Sequence, residues 1–207
     1  MAAFEKPCLV DIDTQFDFVR LEGALYVRGA RELIPIWKKL TDLGQSLRLT
    51  MIATVDSHTP DDPEFAQFPP HCVIGTVGQS KVPETLAGYH QFVGRDHHST
   101  IDFDAQVILE KATIDIFAEP HAETVLGAVQ CSTFVIYGVT TEYCVRAAVL
   151  GLRRRGLPVH VVSDAIQAAV PAAGERALAE MASAGADFVH SAVFIEKAQQ
   201  QAAPRTR

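Results

Sequence analysis

Residues 134–145, Phe134-Val135-Ile136-Tyr137-Gly138-Val139-Thr140-Thr141-Glu142-Tyr143-Cys144-Val145, decide the fold. Phe134 to Gly138 is a short apolar run closed by glycine and threonine, the pattern of a buried strand. From Glu142 the period changes. Val145, Ala148, Val149 and Leu152 fall on one helical face, and the pattern stops at Arg155 with Gly156 and Pro158 beyond it. A second β-branched run, Val159-His160-Val161-Val162, follows at once. Strand, helix and strand in that order form a βαβ unit, whose crossover helix returns the chain parallel to its start.

The same alternation extends outward. Cys8-Leu9-Val10-Asp11-Ile12, Leu49 to Val55 and Val107-Ile108-Leu109 read as further buried strands, and Phe188-Val189 with Val193-Phe194-Ile195 supplies one more. Between them, Arg31 to Gly44 places Leu33, Ile34, Trp37, Leu40 and Leu43 on one stripe, with Gly44 as the expected C-cap. His121 to Gln130 and Pro171 to Ala184 are the other helices, the latter opening on proline and closing at Gly185. The expected architecture is α/β: a three-layer sandwich with a central, mostly parallel sheet and helices on both faces. Residues 1–198 are expected to form one domain, with a frayed tail over 199–207. Residues 57–100 hold no strong strand and much of the Pro, Gly and His, which marks a functional loop region.

The 207 residues carry 18 Lys plus Arg against 25 Asp plus Glu, a formal charge of −7. An acidic balance argues against nucleic-acid or polybasic membrane-surface partners, and Arg153-Arg154-Arg155 is too short a run to reverse it. No apolar stretch approaches the roughly 20 residues that span a bilayer. Met1 to Lys6 lacks an apolar signal-peptide core. The cysteines Cys8, Cys72, Cys131 and Cys144 show no CxxC spacing and do not form a disulfide scaffold. A reducing cytoplasm is the expected location, where such a cysteine is either buried filler or a nucleophile.

In open α/β sheets chemistry sits beyond the carboxyl ends of the strands. Those ends carry Asp13, Asp56-Ser57-His58, Glu110-Lys111 and the turn leading to Cys144. Cys144 falls in the first turn of a helix, where the macrodipole lowers a thiol pKa and free N–H groups suit an oxyanion. Small core filler is the competing reading. Alone, Asp13 reads as an Asx turn or cap, with Asp11 and Asp17 as local rivals, and Lys111 as a solvated lysine. Beside a cysteine, the carboxylate can take the thiol proton and the ammonium can hold the carboxylate. Asp56-x-His58, Glu64 and His71, the last stiffened by Pro69-Pro70, suit a divalent Zn, Fe or Mn ion, or are simply exposed loop residues. His90, His97, His98, His121, His160 and His190 show no such pairing and read as structural or exposed. Gly75-x-x-Gly78 is a loop, because no Lys-Ser/Thr follows it.

With those residues in place, the chain resembles the isochorismatase-like cysteine hydrolase superfamily, and within it the nicotinamidase/pyrazinamidase branch. The resemblance spans residues 7–190 and rests on Leu9 to Phe18, Glu110-Lys111 and Gly138 to Val145. It implies a triad of Asp13, Lys111 and Cys144. It implies a divalent-metal site of Asp56, His58, His71 and, as fourth ligand, Glu64. It further implies a cis peptide at Val139–Thr140, an oxyanion hole from the Thr140 and Cys144 N–H groups, and aromatic walls at Phe18, Phe68 and Tyr143. The implied reaction is metal-dependent hydrolysis of nicotinamide to nicotinate and ammonia through a Cys thioester. The implied assembly is a homo-oligomer, a dimer or tetramer. Ala112 to Phe117 lacks the Tyr-rich stretch of many nicotinamidases, and Tyr143 stands where several carry a smaller residue or His, so the acyl group is left open. The alternatives are a same-fold hydrolase of another small amide or carbamoyl compound, and a catalytically silent binding module.

Overall fold

Residue 4, residues 6–95 and residues 100–202 are described by the structure, a computed structural model. Seven strands, β1 (Pro7–Ile12), β2 (Thr50–Asp56), β3 (His90–Val93), β4 (Gln106–Lys111), β5 (Thr133–Val139), β6 (Val159–Gln167) and β7 (Asp187–Val189), form one sheet in the order β3-β4-β2-β1-β5-β6-β7. All its neighbouring strands run parallel. The alternation of strand and helix along the chain dictates this, since each parallel return needs a crossover.

Both faces are covered. Cys8, Val10 and Ile12 of β1 pack with Ala122, Val125 and Leu126 of α3 (Pro120–Ala128) and with Ala148, Val149 and Leu152 of α4 (Arg146–Arg154). Leu9 points the other way, into a core with Trp37 and Leu40 of α2 (Ile34–Leu47) and Phe194 of α6 (Ser191–Ala202). The short α1 (Phe16–Val19) follows β1, and α5 (Pro171–Ser183) follows β6. Trp37 is fully buried and its indole N–H donates to Ala165 O at 2.8 Å, so its one polar atom is satisfied. No helix among the described residues is long and apolar enough to cross a membrane.

Three expectations are corrected. Val193-Phe194-Ile195 is not a strand but part of α6, whose buried Phe194 and Ala198 sit one turn apart on a single face. Asp164 fixes its start, accepting from Ser191 N at 2.7 Å and Ser191 Oγ at 2.6 Å. That helix carries residues 199–202 as well, and the rest of the expected tail lies outside the described residues. Gly44 does not end α2. The helix runs on to Leu47 and stops at Arg48 in the left-handed region, while a side chain at Gly44 would lie 2.5 Å from Met51 Sδ. Finally, the loop region 57–100 contains β3. It is an edge strand with Phe92 half exposed, so its residues lack a buried strand's apolar signature.

Candidate active site

β1, β2, β4 and β5 end at one rim because their registers align: Ile12 pairs with Thr54 and with Gly138, and Asp56 pairs with Lys111. Asp13, just past β1, adopts φ +49°. Its carboxylate accepts from Thr54 Oγ1 at 2.6 Å, and its other oxygen lies 2.9 Å from Lys111 Nζ. Lys111 is fully buried, forms a second ion pair with Asp56, and donates to Cys144 Sγ at 3.5 Å. The expected acid, ammonium and thiol therefore meet. Gln15, not singled out in the sequence, locks the end of β2: Asp56 N donates to Gln15 Oε1 at 2.7 Å, and Gln15 Nε2 donates to Asp56 O at 2.8 Å.

Cys144 is delivered by β5. A side chain at Gly138 (φ +121°) would lie 2.0 Å from Ile12 O, so the close approach of the two strands needs glycine. The Val139–Thr140 peptide is cis, as the resemblance implied. A π-helical turn, Thr141–Val145, then precedes α4 and carries Cys144. Such one-turn π segments recur at functional sites.

One cation serves two carboxylates and a thiol. Burial pushes Asp13 above the ordinary carboxylate range, with Asp56 adding to the shift and Lys111 opposing it. Burial would also raise Asp56, but the Lys111 charge and the neighbouring imidazoles hold it well below that range. Burial would lower Lys111, yet Asp13, Asp56 and Cys144 keep it firmly protonated. The expected low thiol pKa is not what the site builds. Burial, with Asp13 and Asp56, outweighs Lys111 and pushes Cys144 up. Burial, the largest influence on both groups, thus raises the Cys144 thiol and the Asp13 carboxyl together.

Asp56, His58 and His71 each offer a ligand atom, all within 4.8 Å of one another. Asp56 Oδ2 lies 3.9 Å from His58 Nε2 and 3.8 Å from His71 Nε2, too far for hydrogen bonds and spaced as donors around a common point. Of the opposite ring nitrogens, His71 Nδ1 is bonded to Pro69 O at 2.9 Å, and His58 Nδ1 lies 3.1 Å from the Asp62 carboxylate. That outer support is the usual way a ligating imidazole is aimed. Burial pushes His58 down, but Asp56, Asp62 and Glu64 more than offset it, so the surroundings call for a cation. The donor set fits a divalent metal. Glu64 stands outside the three-residue group, half-buried, on the turn Pro63–Ala66, which Asp62 caps at 2.9 Å from Glu64 N. Asp62 was legible only as a carboxylate four residues after His58.

Beside these groups lies a cavity of about 400 Å³. Phe18, Phe68 and Tyr143 line it as expected, with Asp56, Glu64, His71, Thr140 and Cys144. Tyr26, Ile114 and Val170, which the sequence did not single out, complete much of its apolar wall. The Phe68 and Tyr143 rings meet edge-on at 5.7 Å. His90 and His160 are structural, bonded to Ala87 O and Thr133 Oγ1 at 2.9 Å each, and His97 and His98 lie outside the described residues.

A wholly parallel sheet that gathers an acid, an ammonium and a thiol at its carboxyl rim defines a class: three-layer α/β proteins with ionisable groups clustered beyond the strand ends. Within that class, the chain belongs to the isochorismatase family, whose Isochorismatase domain profile matches residues 7–193. It is 24% identical over 204 residues to the nicotinamidase of Escherichia coli strain K12, covering 86% of this chain and 92% of that protein. It is 26% identical over 167 residues to the uncharacterized isochorismatase family protein PncA of Bacillus subtilis strain 168, covering 78% and 86%. Among solved structures, the pyrazinamidase of Pyrococcus horikoshii in complex with zinc superposes with a TM-score of 0.75 at 29% identity, covering 89% of this chain and 99% of that one.

Proposed function

We propose that this protein is a metal-dependent cysteine amidohydrolase that converts nicotinamide to nicotinate and ammonia. The observation that carries the reading is the position of Lys111 Nζ, in contact with Asp13, Asp56 and Cys144 at once. The likenesses to a nicotinamidase and a pyrazinamidase support the amide substrate.

Asp13 takes the proton from Cys144 Sγ as sulfur attacks the carboxamide carbon. Lys111 keeps Asp13 in place and balances the charge that moves onto it. The N–H groups of Thr140 and Cys144 face the developing oxyanion. Asp13 returns the proton to the departing ammonia, leaving a thioester on Cys144. It then draws a proton from water as the water oxygen attacks the thioester carbon, and passes that proton to the departing Cys144 sulfur, which releases the acid and restores the thiol. Asp56, His58 and His71 would hold a divalent Zn, Fe or Mn ion, with Glu64 at the cavity wall beside them. Such an ion supplies a Lewis-acidic anchor for a ring nitrogen. Phe18, Phe68 and Tyr143 would flank the ring.

A second reading keeps the machinery and changes the acyl group to another small amide or carbamoyl compound. Ala112 to Phe117, which lacks a Tyr-rich stretch, and Tyr143 in the cavity wall leave room for it. Ammonia release by wild type and Cys144→Ala across nicotinamide, pyrazinamide and carbamoyl compounds, with and without chelator, tests both. Equal rates for the two proteins would remove Cys144 from the mechanism. Turnover of carbamoyl compounds alone would select the second reading.

A further inference from the structure

Glu142 lies two residues before Cys144 in the same π-helical turn, and its carboxylate bonds to the chain at the start of α5. It is 7% exposed, and its carboxylate accepts from Val170 N at 2.7 Å and Ala169 N at 3.2 Å. Val170 is the N-cap residue of α5, so a carboxylate from a distant turn caps that helix, where the dipole favours negative charge. Both ends of this strut belong to the cavity. Tyr143 and Cys144 line it from the Glu142 turn, and Ala169 and Val170 line it from the start of α5.

The strut matters at the Ala169–Val170 end of that wall, where both residues are exposed although α5 packs on the Glu142 turn further along. Val170 is 52% exposed, and Glu142 accepts its backbone N–H, which ties that residue to the turn carrying Cys144. We infer that Glu142 is a positioning and specificity-determining residue, which sets how closely the Ala169–Val170 wall approaches an amide whose carbonyl sits at Cys144. This rests on the amidase reading above and extends it to the substrate's size. A held wall separates ring-substituted amides by fit. A loosened wall admits them more equally.

The test is competition between nicotinamide and its 4-, 5- and 6-methyl derivatives for one enzyme sample. A ratio of kcat/KM values taken in competition is independent of the active fraction, so a purely structural defect leaves it unchanged. Glu142→Gln keeps the side-chain shape but only one acceptor for two N–H donors. Val170→Ala shortens the wall itself. Discrimination by one methyl in an apolar pocket is roughly tenfold or more, and both variants are expected to compress the spread of ratios about fivefold or more. Wild-type turnover with ratios unchanged within about twofold in both variants would overturn the inference and leave the amidase reading standing. No wild-type turnover of any of the four amides would overturn both.

Discussion

Lys111 Nζ lies 2.9 Å from Asp13 Oδ2, and both side chains are 1% exposed. An ion pair so deeply buried is held in place by its neighbours, because desolvation of each charge is offset only while the other remains. Here the ammonium also serves Asp56, so the proposed base and the proposed metal ligand share one counter-ion. The two halves of the site are therefore electrostatically joined.

Removing that counter-ion should damage stability and activity together, and a second substitution should separate them. Lys111→Met leaves Asp13 buried without a cation, an imbalance that costs about 3–5 kcal/mol. Ammonia release should fall roughly a hundredfold or more, as expected when a proton-transfer group loses its partner. Adding Asp13→Asn should restore part of the urea stability and none of the activity. A Lys111→Met protein as stable as wild type would show that the pair contributes little.

Asp62 should tune metal affinity without touching the ion. Its carboxylate lies 3.1 Å from His58 Nδ1, and losing such outer support weakens a site by roughly 10- to 100-fold. Zinc competition against a chromophoric chelator should show that drop for Asp62→Ala and a larger one for His58→Ala. Unchanged affinity in Asp62→Ala would mean that the His58 ring is aimed by other contacts.

The strand-end residues were legible because a parallel sheet places the last residue of each strand at one rim. The alternation of strands and helices placed Asp13, Lys111 and Cys144 at that rim, but choosing Asp13 over Asp11 and Asp17, and Lys111 over a solvated lysine, took the family resemblance. What escaped depends on burial and on distant partners. β3 is half exposed and lacks an apolar run, while in Val193-Phe194-Ile195 three apolar neighbours hid a helical spacing that only Ala198 completes. Gln15 and Asp62 act through a backbone amide and a ring nitrogen, contacts that leave no motif. The Cys144 thiol was expected to be acidic from its place on a turn, but burial beside two carboxylates decides the sign.

A second buried ion pair, Asp11 with Lys81, was hidden by 70 residues of separation. Lys81 Nζ donates to Asp11 Oδ2 at 2.9 Å and to Thr14 Oγ1 at 2.8 Å, fastening the loop region 57–100 to β1 beside the site. Lys81→Met alone should cost about 3–5 kcal/mol, because Asp11 is left buried and unpaired. The double variant Asp11→Leu with Lys81→Met should recover most of that in urea denaturation. Equal losses in the single and double variants would mean that the loop is held by shape and not by charge.

His160 should make the fold acid-sensitive below neutrality. Its ring packs edge-on to Phe4 at 4.8 Å, and burial, with a smaller push from Lys197, holds it below the usual 6.5 despite Asp187 at 3.7 Å. An unfolded chain takes up the imidazole proton near 6.5, whereas the folded chain takes it up only at lower pH. The unfolded state then binds more protons across that interval, so stability is full above about 6.5 and falls as pH drops toward the folded value. His160→Gln cannot titrate. Between about pH 7.5 and about pH 5.5, the wild-type Tm should therefore fall further than that of His160→Gln. Parallel decreases in the two proteins would show that the acid sensitivity arises elsewhere.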